Sequence, residues 1–213
     1  TDNIPTHYNT RDPNYYRYID PDQFVPSNHP DIKAAVGQAI TYKTPYYRSM
    51  QVYEYIRNTL EFDPQGGMKS AINTLKNKAG GSFGYASLFT AMVRYVGIPS
   101  RIVGGALRLS NGTWVSHFWS EFYLTGLGWI PVDPALGDNA HDIAPADKLY
   151  YFGNLDNQRI TLSKGILKTK VMGAGNNLLS IPEKGCSLQL VYCEYNGDLM
   201  DFNLDYSIRE ANN

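Results

Sequence analysis

The sequence is poor in the residues that would mark a disulfide scaffold, a zinc protein or a membrane protein. Cysteine occurs only twice in 213 residues, at Cys186 and Cys193. If the LQLVY run between them is one extended strand, seven steps of about 3.3 Å hold the two on the order of 23 Å apart, beyond disulfide reach. Two free, buried thiols are therefore expected. Histidine is nearly as sparse, and His7, His29, His117 and His141 form no i, i+4 pair of the kind that holds catalytic zinc. Asp133, Asp138, Asp142 and Glu183 offer oxygen to calcium, but the loop Asp138-Asn139-Ala140-His141-Asp142 lacks the spacing and glycine of an EF-hand and reads as solvated. No metal or other cofactor is expected. Gly104-Gly105 leads into a strand-like run, whereas a phosphate loop needs a helix there. Charge of either sign is almost balanced, with a net of −1, which leaves no basic face for nucleic acid or acidic lipid. No apolar run approaches the roughly 20 residues of a bilayer span, and TDNIPTHYNT at the start has neither the basic nor the apolar region of a signal peptide.

What the sequence does have is tyrosine, 17 in all. An apolar body with a polar tip suits a large, partly wet groove. Residues 1–30 combine Pro, Asn, Asp and Tyr without a helical or strand period and read as an irregular arm ordered over the surface by its tyrosines. Helical spacing follows over Pro30–Ile40, Pro45–Leu60 and Gly67–Asn77. The clearest helix is Gly84–Val96, with Tyr85, Leu88, Phe89, Met92 and Val96 on a wide apolar stripe, Gly97 as its stop and Pro99 beyond. It should be central and buried.

The period then changes to two over Arg101–Leu109, Trp114–Leu124 and Trp129–Val132. Helices first and strands second predict an α+β fold, an antiparallel sheet packed on the central helix. Further hairpins are expected from Arg159–Leu162 and Ile166–Val171 around Ser163-Lys164-Gly165, and from Leu188–Tyr195 and Asp198–Tyr206 around Asn196-Gly197. The expected organisation is an arm at 1–30, a core at 31–155 and, at 156–213, β-hairpins that complete the sheet or form a small appendage.

Chemistry gathers around His117. If the strands on either side of Thr125-Gly126 fold back on each other, Asp133 falls opposite His117 or within about two residues of it. There it could accept the Nδ1 proton and orient the imidazole. The same pair is equally compatible with a core histidine satisfied by a carboxylate. Ser82 stands before the central helix, where unpaired N–H groups and partial positive charge favour a nucleophile's anion. Serine is also a preferred N-cap, and by spacing alone the cap is the simpler reading. Trp114, Phe118 and Phe122 on one strand face and Trp119 and Tyr123 on the other are chiefly core packing. Tyr85 and Trp119 are candidate groove-lining residues.

Three stretches together resemble the transglutaminase-like superfamily of the papain-like fold. The first is Gly80-Gly81-Ser82-Phe83-Gly84-Tyr85-Ala86-Ser87-Leu88-Phe89, continued by Arg94-Tyr95-Val96-Gly97-Ile98-Pro99-Ser100-Arg101. The second is His117-Phe118-Trp119-Ser120-Glu121, and the third is Gly128-Trp129-Ile130-Pro131-Val132-Asp133-Pro134. They span roughly residues 70 to 137, and Tyr151-Phe152-Gly153-Asn154 with Ser163-Lys164-Gly165 is similar to the continuation in bacterial members. The resemblance implies attack on a protein or peptide amide, such as a cell-wall peptide, through an acyl-enzyme. The family's Cys, His and Asp fall on Ser82, His117 and Asp133. The backbone N–H of Ser82 would form part of an oxyanion hole, with Gln65 a candidate for its second donor.

Serine is the departure from the family pattern. A thiolate can persist beside an imidazolium, whereas serine must lose its proton during attack. Three readings stay open: a deliberate inactive variant of a cysteine enzyme, a natural non-catalytic relative that binds a peptide, glycan or cell-wall fragment in the old groove, and a working serine acyl transferase or hydrolase. Cys186 and Cys193 have no helix N-terminus or histidine beside them in sequence and supply no alternative nucleophile. The polar arm and the bacterial resemblance suggest an extracytoplasmic setting.

Overall fold

The computed structural model describes residues 7–138, 140–142, 147–165, 170–172 and 178–180. Its centre is helix α5, Ser82–Tyr95, in which every residue from Phe83 to Arg94 is buried. Gly81 caps it in an extended conformation, and its carbonyl takes the first helical bond from the Tyr85 N–H at 3.1 Å. At the other end Gly97, with φ of +81°, turns the chain out of the helix, and Pro99 prevents its return.

Before α5 come α1 (Pro13–Arg17), α2 (Pro30–Ala39), α3 (Pro45–Thr59) and α4 (Ala71–Asn77), with two-residue strands β1 (Glu61–Phe62) and β2 (Ala79–Gly80) paired in parallel. The helix expected over 67–77 begins only at Ala71, because Ser70 caps it by accepting from the Asn73 N–H at 3.4 Å. After α5 come β3 (Ser100–Arg108), β4 (Trp114–Leu124) and β5 (Gly128–Val132), then the short α6 (Pro134–Gly137) and a 3₁₀ turn at Ala140–Asp142. Strand β6 (Arg159–Lys164) returns to pair with β3, giving an antiparallel sheet in the order β5-β4-β3-β6. Farther on, β7 (Lys170–Met172) and β8 (Leu178–Ser180) pair antiparallel. Residues 166–169, both cysteines and the expected hairpin at Asn196-Gly197 lie outside the described residues.

Alternation along β4 divides the sheet's two faces. Phe118, Ser120 and Phe122 meet α5: Phe118 stands edge-on to Phe83 with centroids 5.2 Å apart, and the Ser120 hydroxyl donates to the Ala86 carbonyl at 3.0 Å. His117, Trp119 and Glu121 point the other way. Gly104 and Gly105 let the next strand and the aromatic rings come close. A Cβ at Gly104 would lie 2.8 Å from the Ser163 hydroxyl, and one at Gly105 would collide with the Ile160 carbonyl and stand 2.8 Å from Trp119. The β3–β6 register shifts between these two glycines, a β-bulge that sets where β6 delivers its side chains.

The arm is tied down as its composition suggests. The Tyr8 hydroxyl donates to the Tyr123 carbonyl at 2.9 Å, that of Tyr15 to the Gly97 carbonyl at 3.1 Å, and Tyr18 stands edge-on to Trp129 at 4.8 Å. It is not wholly irregular, since it contains α1 and buries Val25 completely.

Candidate active site

The N-terminus of α5, the middle of β4 and the exit of β5 meet at one place. Ser82 is the first helical residue and is half-buried, while Gly81 holds the cap position with no side-chain bond. Serine is therefore not placed here as the N-cap. Its Oγ accepts from the Phe118 N–H at 3.3 Å, which puts the hydroxyl beside the backbone of the residue that follows His117. The amides of residues 82–84 have no acceptor inside their own helix, as in any first turn.

His117 and Asp133 are both completely buried, and His117 Nε2 lies 2.7 Å from Asp133 Oδ2. The ladder explains the meeting: Ser120 pairs with Val132, so Asp133 emerges one step farther along, beside the His117–Trp119 face. The sequence expectation that Asp133 holds Nδ1 is corrected, because the ring presents Nε2. An ionised carboxylate can only accept, so His117 donates its Nε2–H to Asp133. Among the described residues Nδ1 has no hydrogen-bond partner, although it is buried.

Asp133 is satisfied on both oxygens. Oδ1 takes the Leu136 N–H at 3.0 Å, which makes the residue the cap of α6, and Oδ2 takes His117 and the Arg159 Nη1 at 2.8 Å. Burial pushes its carboxyl up, but His117, Arg159 and the Leu136 amide outweigh that and hold it well below the ordinary carboxylate range. Arg159 also pairs with Asp156 at 3.0 Å. Nothing in the sequence motifs singled out Arg159, which lies 26 residues past Asp133.

The other expected residues fall in distinct places. Trp119 is 1% exposed and stacks near the His117 ring, with centroids 6.4 Å apart. Tyr85 is fully buried and donates to Asp138 Oδ2 at 2.6 Å. Neither offers surface to a groove, because the ring of each is absorbed into packing, which does not fit their expected groove-lining role. Gln65 is exposed, in a loop braced by its own N–H on Asp63 Oδ1 at 2.9 Å. The adjoining Gly66 abuts Gly81 so closely that a Cβ would collide with the Gly81 nitrogen. That contact sets the Gln65 loop next to the turn that carries Ser82.

His141, read from sequence as part of a solvated loop, stands edge-on to His117 with centroids 6.0 Å apart and to Phe62 at 5.2 Å. Its φ is +61°, a left-handed conformation that no spacing rule reveals. No cluster of three or more His, Cys, Asp or Glu side chains suited to a metal occurs among the described residues. No helix there is long and apolar enough to cross a membrane.

The model of the Transglutaminase-like superfamily matches residues 34–134. That match covers a little under half of the chain and includes Ser82, His117 and Asp133; it is a likeness to a general family of acyl transferases and hydrolases. Among solved structures it is similar to a candidate cysteine protease from Cytophaga hutchinsonii, with 22% identity, a TM-score of 0.55 and coverage of 72% of this chain and 47% of that one. It is also similar to the periplasmic domain of TgpA from Pseudomonas aeruginosa, solved bound to ethylmercury, with 21% identity, a TM-score of 0.46 and coverage of 63% and 53%. The chain thus matches about half the length of each of these structures. No curated protein matches it significantly.

Proposed function

We propose that this chain carries an amide-directed acyl-transfer site in which Ser82 holds the nucleophile's position, His117 is the base and Asp133 is its anchor. The observation that supports this most is the division of His117: Nε2 is committed to Asp133 at 2.7 Å, while buried Nδ1 has no partner among the described residues. In the reaction Oγ bonds to the carbonyl carbon of a protein or peptide amide as its proton passes to Nδ1. That proton then goes to the nitrogen as the C–N bond breaks, leaving an ester-linked acyl-enzyme for water or an amine to resolve. Amides at the start of α5 would receive the oxyanion, with Gln65 as candidate second donor. The proposed setting is extracytoplasmic, in keeping with the polar, tyrosine-rich arm.

Turnover by this chain is proposed to be slow or absent. Serine needs its proton removed during attack, and Ser82 Oγ is engaged by the Phe118 N–H instead of bridging to Nδ1. The same observation favours a second reading, a groove that binds a peptide, glycan or cell-wall fragment without cutting it. The distinguishing experiment prepares Ser82→Cys and follows iodoacetamide labelling of residue 82. The acyl-transfer reading expects rapid, pH-sensitive labelling that disappears on adding His117→Ala. Sluggish labelling would favour the binding groove. A fluorophosphonate adduct at Ser82 of the unaltered chain would establish serine catalysis, and no adduct at any accessible pH would count against it.

A further inference from the structure

Asp133 meets a buried guanidinium that none of the three sequence signatures supplies. Arg159 opens β6 and has a side chain only 4% exposed. Its Nη1 donates to Asp133 Oδ2 at 2.8 Å, the oxygen that also receives His117 Nε2. Its Nη2 and Nε reach Asp156 Oδ2 at 3.0 Å and Oδ1 at 3.3 Å. The Tyr151 hydroxyl secures Asp156 Oδ2 from the other side at 3.0 Å, and the guanidinium carbon lies 5.2 Å from the Trp119 ring centre and 5.6 Å from that of Tyr151.

A buried guanidinium gripped by one carboxylate on two of its nitrogens has little freedom left. Asp156 therefore fixes the plane of the fork, and the fork fixes the direction from which Nη1 approaches Asp133. With Oδ1 tied to the Leu136 amide, the catalytic carboxylate is held at both ends. We propose that Arg159 is a positioning residue of the site, holding Asp133 turned so that Oδ2 meets His117 Nε2 and leaves Nδ1 as the acceptor. This rests on the acyl-transfer reading above. It adds an element beyond the matched family span of 34–134 to the working part of the molecule.

The groups that face this cluster come from several elements. They are His117 and Trp119 of β4, Tyr53 of α3, His141 of the 3₁₀ turn, Tyr151 and Asp156 ahead of β6, and Arg159 itself. Lys164, Glu121 and Arg101 are paired among themselves farther along the face.

The test uses the Ser82→Cys chain with Arg159→Met, Arg159→Lys or Asp156→Asn added, each checked for folding by circular dichroism. Iodoacetamide labelling of residue 82 is followed from pH 4 to 9. Arg159→Met should slow labelling about tenfold, the scale of a carboxylate displaced by a fraction of an ångström, and should move the acid limb upward. Arg159→Lys should recover part of the rate, since it keeps the charge and loses the fork. Parental rate and acid limb in a folded Arg159→Met chain would overturn the proposal. If Arg159→Met does not fold, Asp156→Asn must slow labelling in the same sense, and parental labelling there is equally fatal.

A second readout is independent of reactivity. The His117 Nε2–H should give a low-field proton resonance that survives in Arg159→Lys and is lost to exchange, or shifts, in Arg159→Met. An unchanged resonance would sink the proposal. A resonance that depends on Arg159 in a chain whose residue 82 labels no faster than an ordinary thiol would retain the positioning role and refute the acyl-transfer reading.

Discussion

A carboxylate with no exposed surface and donors on both oxygens ties the stability of the molecule to acidity. The folded pKa of Asp133 is depressed, with burial opposed and overcome by His117 and Arg159, and that of Asp156 is depressed despite burial, chiefly through Arg159. Each therefore contributes stability that is complete above the unfolded value of about 3.9 and lost as pH falls toward the lower folded value. Asp138 acts in the opposite sense, because burial raises its carboxyl. The urea midpoint should fall on acidification below about pH 4, and Asp133→Asn should flatten that acid limb while lowering stability at pH 7. An acid limb equally steep in Asp133→Asn would show that other carboxylates govern it. At this scale the sequence was partly legible. The contact of His117 with Asp133 could be foreseen from the strand pairing, but the ring nitrogen that meets Asp133 depends on the angle at which two strands exit the sheet, and spacing carries no such angle.

Secondary structure was legible wherever one periodic face could be followed. Helix α5 and strand β4 follow from their stripes to within two residues, since both are buried over most of their length. Helix α4 begins later than its apolar spacing implies, because Ser70 supplies the cap. A strand was foreseen over Arg159–Leu162, but it runs on through Ser163 and Lys164, which were read as a turn, and it pairs with β3 and not with the run expected over Ile166–Val171; the register depends on a bulge between Gly104 and Gly105. The junction of α4 and α5 depends on an absent side chain: a Cβ on Gly84 would lie 2.6 Å from the Thr74 hydroxyl and 3.3 Å from its methyl. Gly84→Ala should therefore cost about 1–3 kcal/mol of stability despite alanine's better helix propensity, seen as a lower melting temperature. A neutral or stabilising result would mean that Thr74 can turn away.

Across the whole molecule, the arm is fastened to the end of α5 remote from Ser82. Arg94 pairs with Asp22 at 3.2 Å, with side chains 6% and 9% exposed, and donates to the Asp20 and Ser100 carbonyls at 2.7 and 2.9 Å. Asp22 also accepts from the amides of Phe24 and Val25. Asp22→Ala should leave a buried guanidinium short of its counterion and cost about 3 kcal/mol, measured by urea unfolding. A loss under about 0.5 kcal/mol would show that the remaining partners of Arg94 suffice. This anchor was not foreseen, because Arg94 sits in a helix whose apolar stripe disguises one buried cation.

Strand β6 ends the four-stranded sheet, so the clamp on Asp133 hangs from its border and not from its centre. Nicking or peeling that margin would free the Asp133 carboxylate from its guanidinium while the interior helix and its three signature segments stayed in place. Such a molecule would pass a spectroscopic check of its fold and still have lost the brace behind its imidazole.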